Sequence, residues 1–187
     1  MGSWRWRKRA SCKSSWCRRV CIGLLLLLDA PNHADTAQEY VVKAGLTLNL
    51  ARYTQWPASA FTDSDSTLNL CLLANPLVEE AFASINGKSV EQRRVQVQSF
   101  LRSTNFAACH ILYISGLERE KVQVLLKELS HYPLLTIGED DFFVQYGGVA
   151  SLQMQNENIG ISINLSAAKQ NGLVISARVL KLANVLQ

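Results

Sequence analysis

The spacing of apolar residues along this chain changes several times, and each change marks an expected element. In "EYVVKAGLTLNLARYTQWP", Val42, Leu46, Leu50 and Tyr53 form one row at helical spacing, and Val41, Ala44, Leu48 and Ala51 form the next. Two adjacent rows make a wide apolar stripe. The stripe predicts a long, largely buried helix ending where Pro57 excludes αR geometry at Trp56. Glu39 and Lys43 stand four apart in the favourable order, on what is expected to be the narrow polar face. After the polar loop "FTDSDST", the run "LNLCLLA" is short and sharply bounded, the mark of a buried strand. "PLVEEAFASI" reads as the helix behind it, with Pro76 at its first position and Glu79 and Glu80 where the macrodipole favours anions. Asn86-Gly87 stops it.

The alternating "RVQVQSF" and the continuous "HILYIS" predict a second and a third strand. Between "HILYIS" and the next strand lies the helical "LEREKVQVLLKELS", with Val122, Leu125, Leu126 and Leu129 inward and Ser115 as the expected cap. Beyond Pro133, "LLTIG" is a fourth strand running into the acidic turn "EDDFFVQYGG", whose "DDFFVQY" reads as a short helix. Strands alternating with helices imply βαβ units. The tail departs from that rhythm. "VASLQMQ" and "IGISINL" flank "NEN", the signal of an antiparallel hairpin at the sheet edge. "SAAKQ" before Asn171-Gly172 then predicts a short helix, and "LVISARVLKLANVLQ" a closing amphipathic one. The expected fold is α/β: a single domain, Rossmann-like, with a mostly parallel sheet, helices on both faces and a C-terminal antiparallel hairpin.

Charge and length change this picture at the amino terminus. From Val20 to Leu28 only nine residues pass without a charge or helix breaker, whereas a membrane-spanning helix needs roughly 20. The nineteen residues before Val20 carry seven basic residues and no acidic one, an unusual start for a core helix. A basic segment, a short leucine-rich run and then Asp29, Pro31 and small residues form the pattern of a secretory leader. Residues 1–34 are therefore expected to be a signal peptide, cut after Ala34 or Ala37, and 35–187 a single domain outside the cytoplasm. The full chain has nineteen basic and fifteen acidic residues. Removing seven basic residues and Asp29 leaves a net charge of about −2, which offers nothing to nucleic acid. Cys12, Cys17 and Cys21 would leave with the leader.

Candidate chemistry is sparse. Cys71 and Cys109 remain, and an even pair in an oxidising compartment points to a disulfide if their runs are neighbouring strands. Two buried free thiols are the alternative; two sulfurs fall short of the four ligands of a closed zinc site. His33 lies at or before the cut, His110 is expected to be a hydrogen-bonded core residue, and His131 sits in a loop. There is no phosphate loop ending in GK[ST], no GxSxG and no HExxH, so no enzyme, cofactor or resident metal is expected. Glu139, Asp140 and Asp141 follow a strand's carboxyl end, where they could hold a cation or form the acidic first turn of the short helix. Phe142, Phe143 and Tyr146 are a partner-binding patch if exposed and core if buried. The hairpin residues Asn156, Glu157 and Asn158 extend that candidate surface. Trp56 either pins the first helix to the sheet or anchors an interface.

Together, "VVKAGLTLNLARYTQWP", "LTIGEDDFFVQYGG" and "INLSAAKQNGLVISARVLKLA" resemble the YfiR family across about Glu39 to Val185. The resemblance implies a non-enzymatic periplasmic repressor that binds the periplasmic domain of a YfiN-like inner-membrane diguanylate cyclase, lowering cyclic di-GMP and biofilm formation. It implies release by a YfiB-like outer-membrane lipoprotein, a homodimer, and a disulfide at Cys71 and Cys109. A second cysteine pair, expected near Gln145 to Ser151, has no counterpart in "QYGGVAS". The alternative reading is a periplasmic small-molecule-binding sensor with its pocket beside "GEDDFF"; a metal-dependent secreted enzyme using Glu139, Asp140 and Asp141 is a third.

Overall fold

The computed structural model describes residues 33–62, 67–99, 106–156 and 158–187. The expected leader, 1–34, and Glu157 fall almost wholly outside the described residues.

Helix α1 (His33–Arg52) ends four residues before Trp56. The Thr54 hydroxyl takes the Leu50 carbonyl at 2.8 Å, and the backbone then pairs as β1 (Thr54–Gln55) antiparallel to β9 (Val174–Ile175). A partner distant in sequence therefore stops this helix before Pro57 can. α1 is also turned from the expected orientation. Val41 and Val42 are 50% and 48% exposed, and Lys43 is only 3% exposed, so the presumed polar face points inward. Ala44, Leu48 and Ala51 pack against the sheet as expected.

Strand β2 (Leu68–Leu73) leads into α2 (Pro76–Ala83), where the Asn75 side chain accepts from the Leu77 and Val78 N–H groups and so satisfies two of the donors a helix start leaves open. β3 (Ser89–Val90) and β4 (Arg93–Ser99) follow, then β5 (Ile111–Ile114) and α3 (Arg119–Leu129). α3 begins after Glu118, with no side-chain cap; the Ser115 hydroxyl, expected there, is engaged elsewhere. β6 (Leu135–Gly138), α4 (Asp141–Gln145), β7 (Ala150–Gln155) and β8 (Asn158–Asn164) come next. The tail is α5 (Leu165–Gln170), β9, α6 (Ala177–Leu180) and β10 (Asn184–Leu186). The single amphipathic helix expected there is instead broken into strand, helical turn and strand, because Ile175 and Asn184–Leu186 find backbone partners on β1 and β8.

The main sheet runs β10-β8-β7-β6-β5-β2-β4-β3. β4, β2, β5, β6 and β7 are mutually parallel, and the β7–β8 and β3–β4 pairs are antiparallel. The hairpin turns at Asn156, whose φ of +46° suits a tight primed turn. β10 adds in parallel outside β8, so the hairpin is not the edge. Leu70, Leu72, Ile111, Tyr113, Leu135 and Ile137 face α1, α2 and α5. Cys71, Leu112 and Ile114 face α3 and Phe143. Covering both faces explains why these strands read as unbroken apolar runs.

Cys71 and Cys109 are bonded, with Cα atoms 5.9 Å apart. β2 and β5 are neighbours, and the 3₁₀ turn Phe106–Ala108 curls the chain so that Cys109 faces Cys71. The bond closes a segment of 38 residues. In the chain-entropy picture such a loop stabilises the fold by at most about 4 kcal/mol. Reductant, or Cys71→Ala with Cys109→Ala, should therefore lower the unfolding free energy by about 2–4 kcal/mol, read as a shifted urea midpoint. A midpoint indifferent to reductant would contradict it.

Candidate functional site

In doubly wound sheets, ligands bind beyond the carboxyl ends of the strands, at the point where the strand order reverses. Here the chain leaves β2 toward β4 and leaves β5 toward β6, so that point lies beyond Leu73 and Ile114. Ser115 follows β5 directly, and its N–H bonds the Leu73 carbonyl. Glu139 follows β6. α1 lays Lys43 over both.

Three side chains converge on Glu139. Lys43 Nζ lies 3.0 Å from Oε1 and 2.6 Å from Glu39 Oε1. The Tyr113 hydroxyl donates to Glu139 Oε1 at 2.7 Å, and the Ser115 hydroxyl donates to Oε2 at 2.6 Å. Tyr40 turns its ring toward the ammonium, 5.0 Å from Nζ. Burial alone would lower the Lys43 pKa, but the hydrogen bonds and charges of Glu39 and Glu139 outweigh it, and the value rises above 10.5. Burial, then the charge of Glu139, pushes the Tyr113 phenol far up, so it stays protonated as a donor. Both carboxylate oxygens of Glu139 are thus engaged by groups of the chain itself. The adjoining cavity, lined by Ser115, Gly116, Asp140 and Phe142, holds only about 30 Å³, room for about one water. This cluster clamps α1 onto the strand ends; a small-molecule pocket beside "GEDDFF" has no room to open there.

The acidic trio divides. Glu139 turns inward, Asp140 is the N-terminal flank of α4 without capping through its side chain, and the Asp141 carboxylate faces the Gln153 amide at 2.8 Å. Among the described residues no three His, Cys, Asp or Glu side chains converge as a metal site would. The aromatic trio divides as well. Phe143 is 2% exposed, so its reading as a partner-binding residue is corrected. Its ring is sandwiched by Gly138 and Gly148, where a Cβ would collide with it. Phe142 is half-buried beneath the Arg119 guanidinium, 4.4 Å from the ring centroid, and its ring lies 5.7 Å from that of Tyr146. Tyr146 is exposed, as are Asn156 and Asn158.

His110 is a core residue. Its Nδ1 accepts from the Asn69 N–H at 3.0 Å, its Nε2 meets the Ala60 carbonyl at 3.0 Å, and its ring stacks on Phe61 at 4.6 Å. The neutral ring with hydrogen on Nε2 satisfies both contacts. Burial holds its pKa below 6.5, and Arg93 adds to this against the Ala60 carbonyl. Trp56 Nε1 donates to the His110 carbonyl at 3.2 Å, pinning the chain after α1 to β5. Sequence reasoning missed the roles of Lys43, Tyr113 and Ser115. The signals were a lysine inside an apolar stripe and a tyrosine in an aliphatic strand.

The chain belongs to the YfiR/HmsC-like family, whose sequence pattern matches residues 40–184. Among solved structures it is similar to a conserved domain protein from Vibrio cholerae, at 15% identity and a TM-score of 0.44. That match covers 65% of this chain, which spans about half (55%) of the other.

Lys43→Met leaves Glu139 buried without its cation and should cost about 3–5 kcal/mol in urea unfolding. Because the folded pKa of Lys43 is raised, its stabilisation is complete below 10.5 and is lost as pH climbs through the folded value; this alkaline loss should be absent in Lys43→Met. His110 runs the other way. Its folded pKa is depressed, so the unfolded chain takes up the proton first and stability should fall as pH drops below 6.5. His110→Asn, keeping an acceptor near the Nδ1 position, should flatten that acid limb; an unchanged limb would assign it to other groups.

Proposed function

We propose that the chain is a periplasmic regulator that binds the periplasmic part of a YfiN-like inner-membrane diguanylate cyclase and holds it inactive, lowering cyclic di-GMP and biofilm formation. Membership of the YfiR/HmsC-like family across residues 40–184 carries this reading. The proposal includes a leader at residues 1–34 that directs export, a YfiB-like outer-membrane lipoprotein that relieves repression by sequestering the chain, and a homodimer as the working form. Among the described residues no helix is long and apolar enough to cross a membrane.

Two structural features support an interaction role over a sensor with its pocket beside "GEDDFF". The ligand end of the sheet is filled by the Lys43–Glu139 cluster, leaving about 30 Å³. Beside it, the Arg119 guanidinium lies over the half-buried Phe142 ring, and the exposed Tyr146 ring sits at a tilt to Phe142. Arginine and tyrosine are the residue types that most often anchor protein interfaces. A rigid domain needs only such a patch to repress, because binding one conformation of the cyclase better than the other shifts the equilibrium. The exposed hairpin residues Asn156 and Asn158 are assigned to the same proposed surface.

The test is complementation of a deletion strain with the chain and with an Arg119→Glu, Phe142→Ala variant. The unaltered chain should lower cyclic di-GMP. The variant should lose at least about tenfold in cyclase affinity, the loss of about 1.4 kcal/mol expected of one interface anchor, while keeping its urea midpoint within the range of a half-buried truncation. Full repression by a folded variant would move the interface elsewhere. Failure of the unaltered chain to lower cyclic di-GMP would overturn the function.

A further inference from the structure

Residues 56–61, which follow β1 and include the 3₁₀ turn Ala58–Ala60, are fastened to the sheet largely through one residue. His110 Nε2 donates to the Ala60 carbonyl at 3.0 Å, the Phe61 ring stacks on the imidazole at 4.6 Å, and the Trp56 indole donates to the His110 carbonyl at 3.2 Å. We infer that His110 is an acid-operated latch: a proton on its Nδ1 drives the ring off β2, and residues 56–61 leave with it while the strands stay paired.

The latch depends on a lone pair. Nδ1 accepts from the Asn69 N–H at 3.0 Å, so a second proton on the ring sets donor against donor. The backbone cannot relieve this. The His110 N–H donates to the Asn69 carbonyl and the Leu135 N–H to the His110 carbonyl, both at 2.9 Å, and the preceding Cys109 is bridged to Cys71. With the backbone held from β2, β6 and the bridge, the imidazole is the part that can move. His110 is only 7% exposed, so a charge there would also lack water. The contact to Ala60 survives, because Nε2 donates in either state and a charged donor strengthens it. Ring and segment therefore move as one body, and the bond from Trp56 to the fixed carbonyl is the one that breaks.

The charges around the ring favour release. Arg93 of β4 holds its guanidinium 3.7 Å from the Phe61 centroid and opposes a second cation on His110. The other groups against the imidazole, from Asn69, Ala60 and Phe61, carry no charge. Trp56 and Phe61 form one wall of a cleft of about 400 Å³ whose other walls include Leu68, Val90, Arg93 and one carboxylate, Glu91. Leu68 and Val90 are 1% and 5% exposed with the latch closed. Swinging residues 56–61 away uncovers them, so acid converts a closed surface into an apolar one.

The inference does not rest on the regulatory reading and is tested on the isolated full chain. Hydrogen exchange of the Trp56 indole N–H, identified as the signal missing from Trp56→Phe, is compared with that of the Ile111 and Leu112 amides. The freed ring titrates near its ordinary value of 6.5, so going from about pH 7.5 to about pH 5.5 should lower the indole's protection, corrected for the intrinsic rate, about tenfold. The strand amides should keep theirs. His110→Asn should make the indole's protection independent of pH. Phe61→Leu, which weakens the stack and leaves the imidazole in place, should lower protection at both pH values and preserve the ratio between them. Equal protection at both pH values in the unaltered chain, a loss shared by the Ile111 and Leu112 amides, or a ratio that persists in His110→Asn would each overturn the latch.

Discussion

One buried cation organises the carboxyl end of this sheet. Lys43 comes from a helix early in the chain and meets Glu139, 96 residues later, in surroundings where an unpaired ammonium would cost several kcal/mol. The cost is offset because every participant is satisfied: Glu39 takes one side of the ammonium, Glu139 the other, and Tyr113 and Ser115 complete the Glu139 carboxylate. Removing any one leaves a buried charge or hydroxyl without its partner, so the group behaves as a unit. It also fixes the rotation of α1. With Lys43 drawn inward, Val41 and Val42 must face outward.

The second constraint lies on the opposite face. The bridge from Cys71 to Cys109 ties β2 to the segment entering β5, and α3 and Phe143 pack around it. Trp56 and His110 reinforce the same segment from the α1 side, through a hydrogen bond and a stack on Phe61. The strands on either side of the reversal in strand order are therefore held from both faces, one by charge and one by a covalent bond.

These constraints bear on function through rigidity. A sheet whose usual ligand crevice is filled by its own side chains presents a fixed outer surface, and a fixed surface loses little entropy on meeting a partner. Arg119, Phe142 and Tyr146, at the starts of α3 and α4 and the end of α4, are part of that outer surface.

The sequence by itself determined the alternation of strands and helices, the Asn75-Pro76 and Asn171-Gly172 boundaries, the β7–β8 hairpin and the core role of His110. These follow from local periodicity, capping and turn chemistry, which act over a few residues. Tertiary structure decided what periodicity cannot. A helical wheel shows Lys43 in a narrow polar gap of the apolar stripe but cannot show that a carboxylate waits inside, so the inward face of α1 was set by Glu139. The tail "LVISARVLKLANVLQ" has helical spacing, yet β1 and β8 offered its backbone hydrogen bonds and drew parts of it into strands. Phe142, Phe143 and Tyr146 form one aromatic run in sequence. Only the approach of Gly138 and Gly148, where no Cβ could fit, decided that the middle ring is core, while Phe142 is half-buried and Tyr146 exposed.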